Sequence, residues 1–218
     1  MNTGRNRWRR LGREVIFLAW PAMVQGLLTT VIFFTDRLLL GRYSADALGS
    51  MQVSGPIMWS IFSVFGAFGS GTIAVVGRAV GANEPLKSRD TIVAVCNLAF
   101  GMGIIVCVLG WLFRGAIAEI LAGGGSSSAD IRMLAEDYMG IVFLGAPLAF
   151  GAIGAISSLH ACGDTKTPAW ITAFCGVLNL GLSWVFIYGH FGAPELGVRG
   201  AAIGTSAAYI FHGILSIW

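Results

Sequence analysis

Six stretches of this 218-residue chain are apolar for long enough to cross a lipid bilayer, and that excludes most folds. They cover residues 15–40, 52–77, 91–113, 136–160, 168–189 and 198–218. A hydrocarbon core about 30 Å thick needs about 20 apolar residues per spanning helix. No water reaches backbone groups in that core, so each run must satisfy its own hydrogen bonds as a helix. Charged residues make up 11% of the chain, against roughly 25% in a soluble domain. A soluble enzyme is excluded. The fold class expected is all-α, a six-transmembrane-helix bundle.

Basic residues in the links orient such a bundle. With the amino terminus inside, the inner side carries Arg5, Arg7, Arg9, Arg10, Arg13, Arg78, Lys87, Arg89 and Lys166. The outer side then holds Arg37, Arg42, Arg114, Arg132 and Arg199, so nine of the 14 Lys and Arg lie inside. The expectation is a cytoplasmic basic N-terminus over residues 1–14, both termini inside (N-in/C-in), and a multi-pass protein of the cell (inner) membrane. The net charge of +3 reflects that basic collar. No binding motif accompanies it, so no nucleic-acid partner is expected. Arg9–Arg10 before an apolar run is similar to a twin-arginine signal. The run exceeds the roughly 7–15 residues of a signal core, however, and no small-residue cleavage site follows. Cys96, Cys107, Cys162 and Cys175 lie in or beside the spans without a CxxC pair, which speaks against a disulfide or metal framework.

The links are short and polar, apart from a flexible Gly-Gly-Gly-Ser-Ser-Ser-Ala-Asp segment at Gly123–Asp130. Glycine fills 31 positions. The pairs Gly66/Ser70, Gly77/Gly81 and Gly200/Gly204 have the small-xxx-small spacing that lets helices approach closely in lipid. Pro21, Pro56 and Pro147 fall inside spans, where each removes a backbone hydrogen bond and permits a bend. The chain ends at Trp218 within the sixth run, without a basic anchor, and a following segment is expected.

Helical phase sorts the polar residues inside the spans. Gln25, Thr29 and Asp36 share one face of the first, at steps of four and seven. The fifth presents Thr172, Gly176, Asn179 and Ser183, and the sixth presents Thr205, Tyr209, His212 and Ser216, each at steps of four, three and four. Side chains in such stripes need partners from one another, from water or from a ligand. Interhelical hydrogen bonds of about 0.6 kcal/mol each would serve for Ser and Thr. They serve Asn179 less well and Asp36 least, because a central carboxylate costs about 2.5–3.5 kcal/mol to insert. Two readings of Asp36 stay open. It is either a cation- or proton-binding group in a hydrated cavity, or an interfacial residue beside Arg37, since Val15 to Asp36 covers roughly 32 Å of helix.

Several motifs are familiar. Trp20-Pro21-Ala22-Met23 through Thr35-Asp36-Arg37-Leu38-Leu39-Leu40-Gly41-Arg42 resembles the opening of the multidrug and toxic compound extrusion (MATE) transporters. So do Gly77-Arg78-Ala79-Val80-Gly81-Ala82, Ala135-Glu136-Asp137-Tyr138 and Gly163-Asp164-Thr165-Lys166-Thr167-Pro168. Leu178-Asn179 and Gly200-Ala201-Ala202-Ile203-Gly204-Thr205 continue the match in the right order. The resemblance implies twelve helices in two lobes of six, with residues 15–218 as the N-terminal lobe. A C-terminal lobe, or a second copy of this chain, would complete the transporter. It implies export of small organic cations and other amphipathic compounds in exchange for Na+ or H+, with no tightly bound cofactor and no enzymatic activity. The family's cation ligands fall on Asp36, Tyr138, Asn179 and Thr205. Some members carry a second aspartate where this chain has Ser183. One carboxylate among neutral oxygens suits sodium, a hard cation, and sodium, if it is the coupling ion, is expected at Asp36 and Asn179. Gln25, Thr29, Thr172, Tyr209 and His212 are expected to line the cavity, with bending at Pro21.

Other functions have their own signatures. A lipid-linked saccharide flippase of similar architecture would line its cavity with Arg or Lys, and the candidates Arg37 and Arg42 lie near outer ends. An intramembrane serine hydrolase would need Gly-x-Ser-Gly, but Phe68 stands where Gly69-Ser70-Gly71 would require a glycine. A non-transporting scaffold would be packed without a cavity.

Overall fold

Each apolar run forms a helix, and all but the last extend past the run at one or both ends. In the computed structural model the helices are α1 (Thr3–Tyr43), α2 (Ala45–Gly81), α3 (Pro85–Ala122), α4 (Ala129–Ala161), α5 (Lys166–Tyr188) and α6 (Val198–Ile217). A short 3₁₀ turn, His190–Gly192, lies between the last two. The structure describes the backbone of residues 3–122 and 129–217, with the side chains of residues 16, 19–122 and 129–216. Positions 123–128 of the Gly/Ser link and the side chains of the N-terminal arginines lie outside the described residues. The basic segment is no separate unit in the backbone, because α1 begins at Thr3 and runs through it into the span.

Among the described residues, five helical segments are long and apolar enough to cross a membrane: Ala19–Tyr43 of α1, and α2 to α5 entire. The sequence reading counted α6 as well. That helix has the expected range, but Arg199 and the polar residues Thr205, Ser206, Tyr209, His212 and Ser216 dilute its apolar character. It is held in the bundle by packing against α4 and α5.

α4 is the centre of the bundle. It packs on α3, α2 and α6, while α5 joins α6 to α1. Phe143, Phe150 and Met139 of α4 are among the largest fully buried side chains, and Phe150 stacks on Phe65 of α2 at 3.5 Å between ring centres. Small residues decide how closely helices meet. A Cβ at Gly200 would overlap the Phe186 carbonyl of α5, and one at Gly204 would meet the Ser183 hydroxyl. Gly66 and Gly81 have open space around them, so the spacings Gly66/Ser70 and Gly77/Gly81 mark no tight crossing within this bundle.

Local signals set the ends. The Ser44 hydroxyl accepts from Ala47 N at 3.0 Å and starts α2 one residue after α1 stops. Asp164 Oδ1 accepts from the backbone N–H groups of Lys166 and Thr167, at 3.0 Å each, and starts α5. α1 continues as one helix through Pro21, and α2 and α4 likewise pass through Pro56 and Pro147.

Candidate functional site

Asp36 is 7% exposed. It is buried in the interior of the bundle, where α1 meets α5 and α6. The Asn179 amide satisfies both of its neighbours when its nitrogen donates to Asp36 Oδ1 and its oxygen accepts from Thr205 N, each at 3.3 Å. The hydroxyls of Thr205 and Ser183 lie near the carboxylate without a direct hydrogen bond to it. Ser183 is fully buried, and its Oγ has no hydrogen-bond partner. Tyr138 of α4 and Tyr209 of α6 are within electrostatic reach of Asp36. Tyr138 is not at the start of a span, as residues 136–160 implied. α4 begins at Ala129, so Tyr138 sits in its third turn, 7% exposed.

A second polar chain crosses the same three helices. Gln25 Nε2 donates to Thr172 Oγ1 at 3.0 Å, and Thr172 Oγ1 lies 3.4 Å from His212 Nε2. Thr29, expected with this group, does not join it. Its side chain is exposed and donates to the Gln25 carbonyl of its own helix at 3.0 Å. Ser216 likewise bonds back, to the His212 carbonyl. Tyr209 leans on Phe62 of α2, with ring centres 5.3 Å apart. Surface crevices of about 640 and 450 Å³ lie at the α2–α3 turn and along α5 beneath Phe191, and Asp36 lines neither.

Arg37 turns the other way. Its guanidinium sits 4.2 Å from the centre of the Phe33 ring, one turn earlier on α1. A Cβ at Gly55 of α2 would stand 2.9 Å from its terminal nitrogen. Arg37 Nε is buried without a hydrogen-bond partner. Helical side chains lean toward the N-terminus, and that lean carries the guanidinium back along α1 to Phe33.

The Asp36 carboxylate, with the hydroxyls of Ser183 and Thr205 nearby, offers hard oxygen ligands. The unpartnered Ser183 oxygen is a ready lone pair for a cation. Among the described residues no cluster of three His, Cys, Asp or Glu is positioned to hold a metal ion.

The MatE family model matches residues 21–185. A probable multidrug resistance protein NorM of Thermotoga maritima is 30% identical over 207 residues, which is 94% of this chain and 43% of that protein. A multidrug resistance protein MdtK of Klebsiella pneumoniae is 26% identical, again over 94% of this chain and 44% of its own length. Among solved structures, an outward-facing MATE transporter of the MOP superfamily superposes with a TM-score of 0.82 at 20% identity, over 93% of this chain and 43% of that one. The chain spans less than half the length of the curated relatives it matches.

Proposed function

The chain belongs to the MatE family of multidrug efflux transporters, and from that premise we propose that it is the N-terminal lobe of a cation-coupled antiporter. The lobe lies in the cell (inner) membrane with both ends inside, and it exports amphipathic organic cations by alternating access. A C-terminal lobe, or a second copy of this chain, supplies the other wall of the substrate path. The burial of Asp36 among neutral donors and hydroxyl oxygens is the observation that carries this reading. An unpaired carboxylate inside a membrane bundle is costly, and Na+ or H+ removes that cost on binding. Asn179, Ser183, Thr205 and Tyr138 complete the ion's surroundings. Gln25, Thr172 and His212 tie α1 to α5 and α6 through a second polar chain. Coupling requires that the ion bind the two access states with different affinity. Relaxing Asp36 would let α1 shift against α5, with Pro21 as the weak point of its backbone ladder.

Export of a fluorescent organic cation from vesicles, with sodium and pH varied separately, tests the proposal in the complete natural protein. Asp36→Asn is expected to abolish dependence on the driving ion while the protein still inserts. Coupling unchanged in that variant would reject the role of Asp36.

A further inference from the structure

Arg37 presents a problem that the cation site does not solve. Its helix ends at Tyr43, six residues on, and a long cationic side chain near a span's end ordinarily reaches for the interface. Here the guanidinium turns back over Phe33, away from that end. The ion pairs among the described residues join Lys87 to Glu84, Arg114 to Glu136 and Arg199 to Asp137, and none takes in Arg37. Its sequence neighbour Asp36, about 100° round the helix, is engaged by Asn179.

Gly55 leaves the guanidinium room between α1 and α2 that a Cβ would fill. Beside it Phe33 meets Trp59 of α2 at 6.4 Å between ring centres, tilted by 52°. Both rings are large and exposed, Phe33 at 41% and Trp59 at 67%. A fixed cation next to two accessible aromatic faces is complementary to an aromatic or amphipathic molecule that carries an acid. A guanidinium holds carboxylate or phosphate through two parallel N–H groups, and rings stack on the remainder.

We propose that Arg37, Phe33, Trp59 and Gly55 form an anion-recognition site where α1 meets α2, which takes the carboxylate or phosphate of an amphipathic aromatic molecule. The site is separate from the Asp36 cluster, and it rests on the antiporter reading only for the claim that its ligand is transported. In the antiporter reading, Asp36 supplies ion coupling and Arg37 selects the charge of the cargo.

The test measures binding of pyrenebutyrate and of its methyl ester to the purified full-length protein, by pyrene fluorescence, in neutral detergent. The acid is expected to bind roughly ten- to hundredfold more tightly than the ester, the range of charge-assisted hydrogen bonds. Arg37→Gln is expected to remove that preference, and Arg37→Lys to restore part of it. Trp59→Ala is expected to weaken acid and ester alike. Cation export coupled through Asp36 is expected to persist in Arg37→Gln, which separates failure of this site from failure of the antiporter reading. Added phosphatidylglycerol that displaces the acid competitively would support the site and identify a lipid headgroup as its occupant. Pyrenebutyrate export lost in Arg37→Gln would support it with cargo as the occupant. Equal affinity for acid and ester in the wild type, or a preference untouched in folded Arg37→Gln, would overturn the proposal.

Discussion

Asp36 and Arg37 are adjacent in sequence, yet an α-helix turns them about 100° apart, and each meets a different neighbour. Asp36 faces Asn179 of α5 and Thr205 of α6, while Arg37 faces Gly55 of α2. Helical phase in the sequence already grouped Asn179 with Ser183 and Thr205 with Tyr209, because a step of three or four fixes a face whatever the tertiary contacts. Phase could not place Thr29, whose hydroxyl is satisfied by its own helix carbonyl and needs no facing partner. The direction of Arg37 was equally hidden, since it depends on the space that Gly55 leaves in another helix. Ser183 is the residue at which this site departs most from a two-carboxylate arrangement. Ser183→Ala removes an oxygen from the proposed ion site, and sodium affinity is expected to fall by roughly tenfold. Ser183→Asp adds a second carboxylate, and transport is expected to become more strongly pH-dependent. Transport titrations in sodium and in protons measure both.

At the scale of helices, the contact between α5 and α6 holds the site's geometry. Gly200 and Gly204 are the small residues that let the two helices meet, and their spacing was visible in the sequence. Which glycine pairs would be used was not, because Gly66 and Gly81 share the motif without meeting a neighbour. Gly200→Ala sets a methyl group against backbone, not against a flexible side chain. It is expected to cost about 1–3 kcal/mol of stability and to disturb ion binding at a distance, as read by thermal unfolding and ion titration. The start of α5 depends on Asp164. Hydrogen bonds from the Thr167 side chain and from the backbone of Thr167 and Lys166 hold its carboxyl below the usual carboxylate range. A lowered folded-state value means that the stabilisation is present above the unfolded value of about 3.9. It is lost as pH falls through the folded value. Asp164→Ala is expected to cost about 1 kcal/mol near neutral pH, with the gap from wild type closing below about pH 4 in thermal melts.

Across the whole molecule, the expected count of six helices and their order match the structure, since apolar length and polar links are local properties. Their arrangement was not local information. α4 became the central helix because its small residues and aromatics are buried against α2, α3 and α6, whereas α1 and α3 leave most of their apolar side chains outward, as lipid permits. The proposed coupling turns on one cation held at Asp36 in the α1–α5–α6 junction. The most direct test is equilibrium binding of radioactive sodium to the purified natural protein at several pH values, with protons as the competitor. Saturable uptake, or proton release in its place, is expected to disappear in folded Asp36→Asn and to persist in Arg37→Gln. Uptake and proton release unchanged by Asp36→Asn would contradict it.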